Sequence, residues 1–592
     1  MRRRAIVSVV GATALLAASV AGASSAAALV SGASAPASQS FGSIPVYGSV
    51  VKTITVTVTD APVTFGSPSI EPVGGATDQA DDYAVGTQTC AGATINAGST
   101  CAVAVTFNPF AAGLRQAALE IPTTSPAGLL TVALSGTAVP NATGTYYPLT
   151  TPQRAIDTRT AGTKLPLAPG STTAVQITNR FGIPATGVSA VVLNVTAVNT
   201  TTQGYFKVYP SDKPRPDASS INFPKAWTGA NMVTVPVGAD GKVKIYNYGG
   251  KAHAIVDVLG WYAKDDSVRA AKNMGSQFLA AGTGDPVRIY DSRSELPFLN
   301  GEYIDFQDIW DTEAQARSVK AYAVSITAVN PTSSGVLTAW SGTGAKPTAS
   351  TVNYLKGVIA PNMAVVTSRY YTTVNDVTHE TEQSSGFRIQ NTGSGQVDLV
   401  VDLTGYYVTD DLAGMRFVPL TGSPSPRRIL DTRTGVGLSG PFGSKQTRTA
   451  PATSVATSDS IYVVGNLTGD QPTLRTYLTV WAEGTKPLAS NLNVNAGATR
   501  AVSAYAPLAY NEVSGALTYK IYNDAGSMRV IFDAAGTLDI YPSQAGLPAP
   551  PAAAKATAGA DARTADRVLG GRTIPGAATF VEGLDASTHR RG

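Results

Sequence analysis

Cysteine and histidine are nearly missing from this 592-residue chain, with two of the first and three of the second. So few thiols and imidazoles leave little material for a metal centre or an activated nucleophile. No H-E-x-x-H, G-x-S-x-G, P-loop or C-x-x-C pattern occurs, so neither an enzyme nor a cofactor is expected. Charge is scarce too. Asp, Glu, Lys and Arg make up 14% of the residues, against roughly 25% in an ordinary soluble protein. That shortage disfavours helix-rich folds, and a net charge of +4 without a long charge run excludes a typical nucleic-acid binder. What is plentiful is Gly (58) and Pro (37), with Tyr (24) ahead of Phe (15) and Trp (5). Many short strands joined by Gly/Pro turns follow, in an all-β chain of about four domains at ~150 residues each.

Arg2-Arg3-Arg4, an apolar stretch from Ala5 to Gly22 and small residues through Ala28 have the layout of a secretory signal peptide over residues 1–28. Ala26-Ala27-Ala28 is the expected cleavage site. The stretch is rich in Ala, Gly and Ser, which argues against a membrane anchor, and no later segment reads as a span. No sortase-like signal or hydrophobic tail is visible at the C-terminus. The expected location is secreted, extracellular or cell-wall associated.

Residues 40–139 read as alternating strands. In KTITVTVTD (52–60), Ile54, Val56 and Val58 share one face and threonines the other. Cys90 and Cys101 flank a Gly-containing loop, and in an exported chain they are expected to form a disulfide. FGSIPVYGSV, TCAGATINAGSTCAVAVTFNPFAAG and VALSGTAV together resemble the ASH-type immunoglobulin domains of bacterial surface proteins. The resemblance implies a sandwich of seven or eight strands serving as a spacer or interaction module.

The strongest feature is an internal repeat. RAIDTR, RIYDSR and RILDTR end at Arg159, Arg293 and Arg433. Each is followed in order by a strand, an S-x-x-N element, a K/R-I-x-N strand and a last strand with a central Asp: AIVDVLGWYA, LVVDLTGYYV and VIFDAAGTLDI. Three domains follow, at 145–263, 276–408 and 416–542, each expected to be an independent antiparallel sandwich or barrel. The Pro/Ala-rich segment 543–592 is expected to be a flexible, disordered tail. The copies resemble an extracellular repeat of secreted actinobacterial proteins, with the pattern R-x-x-D-T-R, S-x-x-N, A-N and D-V-x-G-Y-Y. The resemblance implies location and architecture rather than activity. Copy three departs from it: Thr499-Arg500 stands where A-N is expected, and Gly536-Thr537-Leu538 replaces G-Y-Y.

An Asp on an otherwise apolar strand face needs a partner. We therefore expect ion pairs Arg159–Asp257, Arg293–Asp402 and Arg433–Asp533, with a ligand clasp as the alternative. Asn222 with Asn231, and Asn353 with Asn362, cap turns or else line a sugar-binding groove beside Trp227. Trp340 and Trp481 precede Lys-Pro pairs where copy one has Tyr209, and read as packing residues or sugar platforms. The insertion at 370–386, with Tyr370, Tyr371 and His379, is either a solvated hairpin or a binding loop. The acidic pairs Asp265-Asp266 and Asp410-Asp411 read as solvated linkers, although oxygen-rich linkers also suit Ca²⁺.

These observations point to a non-enzymatic surface or envelope protein acting in adhesion. Its expected partner is a cell-wall or extracellular glycan, or a surface protein. The alternatives are a glycan-binding lectin, an unrecognised cell-wall hydrolase and a filament subunit.

Overall fold

A computed structural model describes residues 28–541, apart from 31, 47, 75–76, 110–112, 140, 161–164, 271–273, 295, 375–378 and 410–413. Residues 1–27 of the expected signal peptide, the Asp410-Asp411 pair and the Pro/Ala-rich segment lie outside the described residues. The architecture is all-β, and the chain divides into two compact units, Met1–Pro140 and Asn141–Gly592.

The first unit is a sandwich of a five-stranded and a six-stranded sheet. Period-two alternation places Ile54, Val56 and Val58 in the core with Val103, Val105 and Phe107 of the neighbouring strand Thr100–Phe107. Cys90 and Cys101 are bonded and buried. Among the described residues it has eleven strands, several only two to four residues long, against the seven or eight that the resemblance implies. The unit also begins earlier than residue 40, because Ala28–Val30 and Ala33–Ala35 form a hairpin on the five-stranded sheet.

The second unit holds the three repeats. In copy one, Tyr146–Asp157, His253–Ala263, Val188–Val198 and Gly229–Pro236 form one sheet. Thr172–Gln176, Lys242–Asn247, Gly204–Pro210 and Ile221–Phe223 form the other. Copies two and three repeat this plan. The copies are not independent, which corrects the expectation above. In an antiparallel sheet with one solvated face, alternate residues are exposed. Here both faces of the first sheet are covered. Val191, Leu193, Val195 and Ala197 enter copy one's own core. Ala190 and Val192 point the other way, into a core shared with Ala321, Ala323, Tyr462 and Val464 of the other copies. Each copy therefore has an inner sheet between two cores and an outer sheet with one face outward. A bridge between Phe278 and Met415 joins the inner sheets of copies two and three.

The shared core explains the glycine of the closing motif. A Cβ on Gly260 would stand 2.3 Å from the Tyr146 hydroxyl. On Gly405 and Gly536 it would stand 2.6 Å from Phe278 and Phe417. In each copy an aromatic from the first strand packs against that glycine.

Candidate functional site

Recurring polar residues are the natural candidates for chemistry, and strand register decides where they go. Arg154 lies directly opposite Asp257 in the ladder, as Arg288 lies opposite Asp402 and Arg428 opposite Asp533. The last-strand Asp is therefore held by the first Arg of R-x-x-D-T-R, not by the second. Arg154 Nε reaches Asp257 Oδ1 at 2.6 Å, and Arg428 Nε reaches Asp533 Oδ1 at 2.8 Å. Arg288 pairs with Asp402 in the same way. This corrects the expected pairs of Arg159 with Asp257, Arg293 with Asp402 and Arg433 with Asp533. Those arginines stand past the strand end, in the turn, where the Asp two residues earlier takes them. Arg159 Nη2 bonds Asp157 at 2.7 Å and Arg433 Nη2 bonds Asp431 at 2.8 Å; Arg293 pairs with Asp291 likewise. Arg154 also touches Asp157 at 3.2 Å, so two carboxylates and two guanidiniums form one chain of contacts. The Arg159 hydrogen bond holds the Asp157 carboxyl down to about 2. Burial pushes Asp257 up, against the pull of Arg154.

The clasp also grips the next copy. Arg154 donates to the Thr348 carbonyl of copy two at 3.3 Å, and Arg288 donates to the Leu488 carbonyl of copy three at 3.2 Å. Arg428 of copy three feels the charge of Asp217 of copy one, the residue at the matching loop position.

Asparagines build the second contact between copies. Asn362 Nδ2 donates to Asn194 Oδ1 at 2.9 Å, and the Met232 amide donates to Asn362 Oδ1 at 2.9 Å. At the next seam Asn231 Nδ2 donates to Asn466 Oδ1 at 2.8 Å, and Asn231 Oδ1 accepts the Ser503 amide. Asn231 and Asn362 are buried, so they do not line a groove. Asn222 and Asn353 instead accept from Ser219 and Ser350 at 2.9 Å, inside their own turns. Register also corrects the third copy. The position of Asn231 and Asn362 is Val502, opposite Leu467, and not Arg500. Arg500, two residues earlier, donates to the Ile359 and Pro361 carbonyls of copy two. Burial lowers it to about 10. The seam between copies two and three thus has Ser325 and Val502 where the others have paired asparagines.

No family model matches this chain, and no characterised protein matches it in sequence. Among solved structures it is similar to the secreted serine protease VesC of Vibrio cholerae, at 15% identity and a TM-score of 0.16. That likeness covers 38% of this chain and 49% of VesC, so the chain spans about half of that protein. It is also similar to SGBP-B of the Bacteroides ovatus mixed-linkage glucan utilization locus, solved with a mixed-linkage heptasaccharide. That match has 12% identity and a TM-score of 0.11, over 83% of this chain and 94% of that one. Likenesses at this level carry no argument about activity.

The aromatic candidates are packed. Trp227 belongs to copy one's core. Trp340 is buried, with Thr150 and Pro152 of copy one, beside a cavity of about 20 Å³ that is large enough for one water. The 370–386 insertion is a hairpin of Arg369–Val374 on Thr381–Asn391. Tyr370 bonds Gln383 at 2.6 Å under the Arg317 guanidinium, and Tyr371 lies under Arg369. Asp265 accepts from Ser267, and Asp266 accepts from the Ala142 amide.

Two features escape sequence reasoning. Tyr262, Tyr407 and Tyr505 join hydroxyls in the shared core, at 2.5 and 3.0 Å. Tyr505 comes from a different strand and replaces the aromatic that copy three lost at Leu538. Asp308 sits on the core face of Tyr303–Trp310, where the same register holds Ile177 and Ala452. Burial holds it well above the usual carboxylate range. The alternation of that strand was a usable signal. The tyrosine ring, assembled from three copies, had none.

Proposed function

We propose that this chain is an exported, non-enzymatic surface or envelope protein, with the immunoglobulin-like unit as a spacer and the three repeats as one adhesive body. The observation that carries the reading is where the recurring polar residues are used. The R-x-x-D-T-R arginines, the last-strand Asp and the buried asparagines all hold strands or copies together. The repeat therefore encodes assembly, and it leaves three related outer sheets facing outward. Three equivalent contacts give avidity without one strong site.

Incubation of the purified chain with isolated cell walls and soluble wall polymers tests this. The expected result is retention on the wall without release of fragments. Turnover of a wall polymer or peptide, abolished by one point substitution, would overturn the reading in favour of a hydrolase.

A further inference from the structure

On the face of each outer sheet that points away from its own core, register sets a cation across from an aromatic at one and the same position. Lys244 pairs with Tyr209, Arg388 with Trp340 and Lys520 with Trp481. The aromatic is buried, at 5%, 5% and 2% exposure, and the loop that begins just past it carries a Lys-Pro pair in every copy. Those loops supply Lys213, Lys346 and Lys486. Two of these loops are also segments that the neighbouring copy's clasp holds, through the Thr348 and Leu488 carbonyls. Lys346 and Lys486 therefore stand on backbone fixed from two sides, which lowers the cost of ordering them on a ligand.

The lysines among these cations make no close ion pair, although acids such as Asp212, Asp285 and Glu483 lie in the same region. None of the five lysines has a carboxylate within 4 Å among the described residues, whereas Arg388 is paired with Asp305 through two hydrogen bonds, at 2.8 and 2.6 Å, with Arg369 beside the same carboxylate. Beside them lies a second row of half-exposed rings. Tyr205 stacks on the exposed Tyr248 at 4.5 Å. Lys486 sits 5.0 Å from the Tyr522 ring, and Arg388 sits 3.7 Å from Tyr303.

We propose that each outer sheet is a binding face for an acidic polysaccharide, whose uronate carboxylates meet the strand cation and the loop lysine (Lys213 and Lys244, Lys346 and Arg388, Lys486 and Lys520) while its sugar rings lie along the tyrosines. Rings and charges together favour a uronate polymer over a polyphosphate, which would leave the aromatic row unused. Exposed pairs of this kind are individually weak and salt-sensitive, and three on one rigid body add by avidity. The inference rests on the surface role proposed above.

The test is retention of the full chain on immobilised polygalacturonate, with neutral dextran and polyphosphate as comparators, for wild type and two triple variants. One variant is Lys213→Gln/Lys346→Gln/Lys486→Gln and the other is Lys244→Gln/Arg388→Gln/Lys520→Gln. Wild type is expected to bind polygalacturonate, to ignore dextran and to weaken as salt rises. Each triple variant, with an unchanged melting temperature, is expected to lose at least tenfold. Wild-type binding to dextran as strong as to polygalacturonate, tighter binding to polyphosphate, no binding to polygalacturonate, or triple variants that bind like wild type would each overturn the proposal. Variants that still hold isolated walls like wild type would sink these faces and leave the surface role standing. A wild type that holds no wall would sink the role itself.

Discussion

Arg154 is the cation that Asp257 meets across the ladder, with Asp157 on its other side. Replacing it with Met strands a buried carboxylate, and we expect a loss of about 3 kcal/mol in urea unfolding. Arg159→Met removes a contact from a side chain 43% exposed and is expected to cost less than about 1 kcal/mol. Equal losses would contradict the assignment. The two sites also differ in acid. Asp157 is held at about 2 when folded, below its unfolded value near 4. The unfolded chain therefore binds more protons in that window, and this contribution to stability, complete above pH 4, is lost as pH falls toward 2. Asp257, raised by burial, works in the opposite sense. Urea titrations from pH 5 to pH 2.5 should show a shallower acid loss for Arg159→Met than for wild type; an identical slope would refute the Asp157 account. The need for an Arg at Asp257 was legible from the apolar strand. Which Arg was not, because both lie in one motif and only the bulged pairing between the two strands separates them.

At the scale of elements, the repeat and the period-two alternation showed the strands and their order. They did not show what covers the second face of the inner sheet. A strand such as AVVLNVTAV reads as buried on one face, with Asn194 and Thr196 on a wet one. In the fold that second face meets another copy, and Asn194 finds Asn362 there. Asn362→Ala leaves the Met232 amide and Asn194 without this partner inside a seam, with an expected cost of about 2 kcal/mol. Asn222→Ala removes a bond within one turn and is expected to cost less than about 1 kcal/mol. Thermal unfolding of the two variants separates a seam role from a groove role, since a groove would make both nearly neutral. Copy three shows how such pairing hides: an offset of two residues was enough to put Arg500 where Val502 stands.

At the scale of the whole molecule, three copies with shared residues in one core cannot open separately without exposing Tyr262, Tyr407, Met363 and Leu538. That core is the reason to treat the repeats as a single body whose outward faces act together. The most direct measurement is hydrogen exchange of the full chain, followed by mass spectrometry across a denaturant series. Amides of Val188–Val198, Val319–Val329 and Ser460–Asp470 are expected to converge on one opening free energy, and Asn362→Ala should lower all three together. Three distinct opening energies, with the substitution felt only in copies one and two, would mean that the repeats are separate beads and would contradict the account.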